Sequence, residues 1–102
     1  MQDREVSKWD VALEAMAQEE FRRQGRPLRL EDFQRLAHIH AMRLDDIMAT
    51  LFELVIQGEW TYRDEQGQPR EFGRETLDAL YVKGRLREED LRVFGGGWQP
   101  RG

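Results

Sequence analysis

The fold is decided by residues 28–72, whose sequence is LRLEDFQRLAHIHAMRLDDIMATLFELVIQGEWTYRDEQGQPREF. Apolar residues recur at spacings of three and four from residue 31 to about residue 38, and again from residue 44 to residue 57. This is the pattern of two amphipathic helices. Gly58 ends the second pattern, as glycine often does just after a helix. Before the helices, apolar residues alternate behind a proline, which suits a short edge strand over residues 27–30.

A two-stranded hairpin is predicted after the second of these helices. Residues 60–63 alternate between aromatic and polar side chains with a period of two, and residues 70–72 form the natural return strand. The segment 64–69 between them is rich in turn-forming residues, including Gly67 and Pro69. Outside this stretch, helical spacing predicts three further helices, over residues 7–24, 74–82 and 88–94.

The turn between the two central helices has a specific spacing of small and apolar residues. Ala37 stands where two packed helices approach closely, Ala41 follows four residues later in the turn, and Ile47 comes six residues after that as a buried anchor. With its order of helix, short strand, helix, helix and hairpin, the pattern over about residues 28–72 resembles the winged-helix superfamily of bacterial regulators. The resemblance implies a winged helix-turn-helix that is mainly α, with a small β-hairpin as its wing and two short C-terminal helices.

Length and composition indicate a single small domain. The chain has 102 residues and a mass of 12.1 kDa. We expect the domain to cover residues 1–94 and a glycine-rich, flexible tail to cover residues 95–102. The absence of cysteine excludes disulfides, thiolate catalysis and cysteine-ligated metals. The longest apolar stretch, residues 51–56, is interrupted by Glu53 and is too short to span a bilayer, so we expect a cytoplasmic protein without membrane contact.

Few residues in the chain are suited to catalysis or to metal binding. His38 and His40 are its two histidines, and side chains two positions apart on a helix point in different directions, so they do not chelate one metal ion. The adjacent acids Asp45 and Asp46 begin a helix, where they stabilise the positive end of its dipole. The glycine run 95–97 lacks the lysine and hydroxyl residue of a phosphate-binding loop. We therefore predict a protein that is not an enzyme and that holds neither metal nor cofactor.

The winged-helix resemblance implies binding to duplex DNA, with the third helix in the major groove and the wing on the phosphate backbone. The charge distribution weighs against this, because residues 44–79 carry nine acidic and three basic side chains. Residues 21–43 have the opposite balance, with six basic and two acidic side chains, although cations near a helix C-terminus also stabilise the helix itself. The candidate nucleic-acid contacts are Arg22, Arg23, Arg26, Arg29, Arg43, Arg63 and Arg70.

A second apolar stripe runs along the third helix. Leu44, Met48 and Phe52 lie at positions i, i+4 and i+8, beside the core stripe of the same helix. Three interpretations are open: the C-terminal helices fold back over the stripe, the stripe binds a protein, or it enters a DNA groove. We predict a protein interface formed by these three residues and Trp60.

Together these observations predict a small non-enzymatic regulatory or adaptor protein. We expect it to act mainly through contacts with a protein partner or with a second copy in a homodimer. Its setting in transcription or DNA metabolism is an analogy with other winged-helix proteins. The alternative is a dimeric winged-helix transcription regulator that binds DNA through the arginines named above.

Overall fold

The computed structural model describes residues 8–101, with side chains from residue 11 onward. Within this range the protein is mixed α/β, with a small antiparallel sheet, rather than mainly α with one hairpin as predicted. Its α-helices are α1 (Lys8–Gln24), α2 (Leu30–Ile39), α3 (Leu44–Ile56), α4 (Arg74–Leu80) and α5 (Glu88–Leu91). Its strands are β1 (Trp60–Arg63), β2 (Pro69–Arg70), β3 (Tyr81–Val82), β4 (Arg85–Leu86) and β5 (Gly97–Pro100).

The main sheet has the order β2–β1–β5, and both pairings are antiparallel. Tyr62 of β1 lies opposite Arg70 of β2 on one side and opposite Trp98 of β5 on the other. On the free side of β5, the backbone N–H and C=O of Leu28 both pair with Trp98 at 2.8 Å. The short strand predicted over residues 27–30 is therefore a single bridge, which joins Leu28 to Trp98 of β5.

The three long helices and the hairpin lie where the sequence predicts them. Both α2 and α3 match their predicted bounds to within one residue, whereas the predicted start of α1 at residue 7 lies outside the described residues. The carboxylate of Asp32 accepts a hydrogen bond from the backbone N–H of Arg29 at 2.8 Å, which satisfies a free donor at the start of α2. Gly58, at φ +81°, follows α3, and the turn between α2 and α3 passes through Ala41 at φ +55°.

The C-terminal helices are shorter than predicted. The helix expected over residues 74–82 ends at Leu80, because the next two residues form β3 and pair with β4. The two-residue turn between these strands consists of Lys83 and Gly84, at φ +54° and +79°. Positive φ at both central positions is the type I′ turn that fits the twist of a tight hairpin. The helix expected over residues 88–94 is a single turn, α5.

The prediction of a flexible tail over residues 95–102 is wrong. Residues 97–100 form β5, which lies between β1 and the Leu28 bridge, and the Trp98 side chain is fully buried. The glycines permit this close approach, since a Cβ on Gly96 would overlap the backbone carbonyl oxygen of Arg63. The glycine run therefore serves packing and is not a linker.

An aromatic cluster fills the core between α2, α3 and the sheet. Phe52 of α3 lies near its centre, with ring centroids 4.9 Å from Phe72, 5.0 Å from Phe94 and 6.1 Å from Trp98. Several of the contacts are edge-to-face, the arrangement that aromatic quadrupoles favour. The rings of the cluster are Phe33, Phe52, Tyr62, Phe72, Phe94 and Trp98.

Candidate functional site

The predicted interface on α3 is core. Met48, Phe52 and Trp60 are buried almost completely, and Leu44 is half-buried. The α4 helix and the β3–β4 hairpin pack against α3 and cover its second apolar stripe, one of the interpretations left open by the sequence. Met48, Phe52 and Trp60 are therefore not available to a partner, which contradicts the predicted protein interface, whereas Leu44 keeps part of its surface exposed.

Ion pairs tie the covering segment to the acidic face of α3. The guanidinium of Arg74 donates two hydrogen bonds to the carboxylate of Glu53, at 2.5 and 2.7 Å. Arg85 of β4 donates to Asp45 at 2.9 Å. Two of the acids that argued against DNA binding, Asp45 and Glu53, thus serve as partners for cations of the same chain.

The basic cluster around the end of α1 neutralises a buried carboxylate, Asp32. Arg26 donates to it through both terminal nitrogens, at 2.9 and 3.2 Å, and Arg35 donates at 2.9 Å. Burial alone raises the pKa of Asp32, but these bonds and the N–H of Arg29 outweigh burial and hold the pKa below its ordinary value. Asp32 is therefore charged in the folded protein at neutral pH.

A second buried carboxylate, Glu20, shares this network. It accepts hydrogen bonds from Arg23 at 2.5 Å, from Gln24 at 2.6 Å and from Arg35 at 2.9 Å. Burial raises the pKa of Glu20. The hydrogen bonds from Gln24 and Arg35 and the nearby positive charges outweigh burial, so the pKa of Glu20 lies below its ordinary value. Arg35 thus bridges Glu20 and Asp32, and joins α1 to α2.

The other predicted nucleic-acid contacts are also engaged within the chain, with one exception. Arg22 pairs with Glu19 at 2.8 Å, Arg43 with Asp45 at 3.1 Å and Arg70 with Asp64 at 2.7 Å. Arg63 donates to the carbonyl oxygen of Gly67 at 2.9 Å. Arg29 is exposed and makes no ion pair within residues 8–101. The seven arginines are therefore not grouped as one free basic surface.

An open groove lies between the β1–β2 hairpin and the segment that follows α5. Its cavity volume is about 500 Å³, within the range of ~300–1,000 Å³ typical of ligand pockets. Tyr62, Phe72 and Phe94 line it with aromatic rings whose centroids are 5.4 to 5.7 Å apart. We call this the hairpin groove. Its lining consists of Tyr62, Asp64, Glu65, Gln66, Arg70, Glu71, Phe72, Thr76, Val93 and Phe94.

Polar and apolar side chains both line the hairpin groove. Val93 is 76% exposed, the largest value among the large apolar side chains whose exposure the structure describes. Its neighbour Phe94 and the facing Phe72 are half-buried and belong to the aromatic cluster of the core, so their rings reach the groove from inside. An exposed apolar side chain beside aromatic rings in an open groove makes this the candidate interaction site.

The rim of the groove is acidic. Asp64 is neutralised by Arg70, and its carboxylate also accepts backbone N–H bonds from Gln66 at 3.0 Å and Gln68 at 2.9 Å. Glu65 and Glu71 are exposed and form no ion pair with any residue whose side chain is described. Two uncompensated negative charges therefore stand at the edge of an aromatic surface.

Sequence analysis missed this groove, because its two walls are more than twenty residues apart in the chain. The walls meet when β5 returns to pair with β1, and that long-range pairing has no local pattern. Little in the local sequence marks Phe72 as part of a groove, because it follows a glutamate in a segment rich in acidic residues.

The described part of the chain contains neither a group of side chains that could hold a metal ion nor a membrane-spanning helix. His38 and His40 are both exposed at the end of α2, and no group of three or more metal-ligating side chains is present in that part of the chain. None of the helices in residues 8–101 combines the length and the apolar character that crossing a membrane requires.

Comparison with known proteins adds no relative. No protein-family model, no curated protein and no solved structure matches this chain. Its function has to be argued from the geometry and the chemistry of its own residues.

Proposed function

We propose that this protein is a small non-enzymatic regulatory or adaptor protein that binds another protein through the hairpin groove. The observation that carries the proposal is the open groove in which the exposed Val93 lies near the half-buried rings of Phe72 and Phe94. Protein interfaces bury aromatic and apolar side chains at their centre and keep polar groups at the rim. The groove has both features, with its glutamates at the edge.

We further propose that the fold is a variant of the winged helix. Support comes from the order α1, Leu28 bridge, α2, α3 and β1–β2 hairpin, and from the sharp turn at Ala41 between α2 and α3. In this variant β5 is inserted beside β1, and the third helix belongs to the core. A setting in transcription or DNA metabolism follows from this fold by analogy alone.

We regard DNA binding as the second candidate function. Six of the seven candidate arginines bond to acceptors of the same chain, and α4 with the β3–β4 hairpin covers α3. A DNA regulator of this fold needs unpaired arginines and an uncovered α3. Phosphate contacts would supply most of its affinity, and α3 would supply the base contacts.

A pair of matched variants tests the proposed function. Val93→Ser removes apolar surface from the groove, whereas Val11→Ser makes the same change on α1, where Val11 is 54% exposed. Each tagged variant is used to capture proteins from an extract of the source cells, and the bound proteins are identified and quantified by mass spectrometry.

We expect wild type and Val11→Ser to capture the same partner, and Val93→Ser to capture about tenfold less, since losing a buried valine contact weakens binding by about 1–2 kcal/mol. Circular dichroism confirms that both variants are folded. Equal capture by Val93→Ser and wild type would contradict the proposal, as would capture of nothing by wild type.

A further inference from the structure

We infer that the hairpin groove recognises a basic peptide segment with an apolar anchor residue, and this inference rests on the proposed function. The anchor would lie against Phe72 and Phe94, and the cations of the segment would face Glu65 and Glu71. The occupant is a segment of another protein, identified by its charge and its apolar side chain.

Charge complementarity is the first step of the argument. Residues 63–75 carry four acidic and three basic side chains. Two of these cations are already committed, Arg70 to Asp64 and Arg74 to Glu53. The surface around the groove is therefore left with a clear excess of negative charge, which attracts a cationic partner and repels an anionic one.

The same charge excludes other occupants. A nucleic acid or an anionic lipid surface would bring phosphates next to Glu65 and Glu71 and would be repelled. A second copy of this chain is disfavoured because Arg22, Arg23 and Arg26 of its basic segment are paired with acids of the same molecule, which leaves Arg29 to face a partner. A basic segment of a different protein remains as the occupant that fits.

The apolar floor specifies the anchor. The groove volume of about 500 Å³ and its aromatic lining suit one or two large apolar side chains of a peptide. Tyr62 is fixed at the bottom, since its hydroxyl oxygen accepts a hydrogen bond from the backbone N–H of Gly96 at 2.9 Å. The floor is thus set by core contacts before a ligand binds, which lowers the cost of binding.

The probe is a synthetic peptide of about seven residues that alternates arginine with leucine, titrated into the whole chain by calorimetry. Two comparison peptides replace either arginine by glutamate or leucine by glycine. We expect the first peptide to bind and both comparison peptides to bind at least about tenfold more weakly, since each lacks one half of the recognition. Amide chemical shifts locate the site, and the largest changes are expected at Val93 and Phe94.

Matched charge variants test the role of the rim. Glu65→Gln with Glu71→Gln removes the two rim charges, and Glu31→Gln with Glu59→Gln removes two exposed acids that lie outside the lining of the groove. Both double variants change the net charge of the chain equally. We expect the first pair to weaken binding by roughly threefold to tenfold and the second to leave it nearly unchanged.

The outcomes separate this inference from the proposed function. Equal weakening by both double variants would mean that the chain attracts cations without a specific site, and would overturn the inference. If the glutamate peptide bound as tightly as the arginine peptide, the inference would also be overturned. In that case the proposed function would still be supported if Val93→Ser lost capture of the partner. If Val93→Ser changes neither peptide binding nor capture, both proposals are wrong.

Discussion

Asp32 and Glu20 explain why this acidic chain concentrates its arginines in one region. Both carboxylates are buried, and three guanidinium groups with exposed ends reach in to them. A buried charge is tolerated only when it is paired and hydrogen-bonded. The sequence pattern showed the cations but not the burial of their partners, because Asp32 looks like an ordinary acid in the first turn of a helix.

Removing the central carboxylate should destabilise the protein strongly. In Asp32→Ala, Arg26 and Arg35 lose their shared acceptor, and the start of α2 loses its cap at Arg29. We expect the free energy of unfolding to fall by about 2–3 kcal/mol, below the ~3–5 kcal/mol of a fully buried pair because the arginines are partly exposed. Urea denaturation measures this loss. The adjacent, exposed Glu31→Ala serves as control and should change stability by less than about 0.5 kcal/mol.

The same two carboxylates predict the acid limit of stability. The pKa values of Asp32 and Glu20 are lowered in the folded state, so the unfolded chain binds protons more readily. Their contribution is fully present above the ordinary pKa values near 4 and is lost as the pH falls through the folded values. We expect the free energy of unfolding to drop below about pH 4, and to drop less steeply in Asp32→Asn. An equal pH slope in wild type and variant would contradict this assignment.

Ala41 carries the strain of the turn between α2 and α3. It adopts φ +55°, where an L-residue costs about 1–2 kcal/mol relative to glycine. We therefore expect Ala41→Gly to stabilise the protein by about 1 kcal/mol and to raise Tm by ~4–8 °C. The matched control Ala15→Gly, at an exposed position inside α1, should destabilise by about 1 kcal/mol. A lower Tm for Ala41→Gly in thermal denaturation would show that the turn is not strained.

Among the elements, β5 completes the main sheet by pairing with β1. Gly96→Ala should destabilise by about 3 kcal/mol or more, because the new methyl group meets the backbone carbonyl of Arg63 in β1, which cannot move without disturbing the pairing of β1 with β5. Gly95→Ala is the matched control, since it meets the end of the flexible Glu65 side chain. Urea midpoints of the two variants compare the costs, and equal values would mean that β5 is not tightly packed.

The helices were predictable from the sequence because their signal is local. The apolar spacing within α2 and α3, and Gly58 after α3, come from neighbours along the chain. The burial of Phe52 was not predictable, because it depends on Phe72, Phe94 and Trp98, which lie twenty or more residues further along the chain. Trp98 was missed for the same reason, since its partners on β1 are more than thirty residues away.

At the scale of the whole molecule, charge decides which macromolecules can approach. The net charge is −4, and most of the arginines are paired internally. We expect fluorescence titration with a labelled mixed-sequence duplex to give a Kd weaker than about 10⁻⁴ M at physiological salt. Tighter binding that weakens steeply with added salt, and that falls in Arg29→Ala, would favour the DNA regulator instead.

The position of β5 also has a consequence for how the chain is made. During synthesis, Leu28 and β1 emerge from the ribosome long before residues 97–100, and until then nothing fills the gap between them. Until then Phe33, Phe52 and Tyr62 lack their contacts with Trp98. Apolar surface that is exposed during folding favours chaperone binding and aggregation. The aromatic cluster is therefore complete only after β5 has paired with β1 and Leu28.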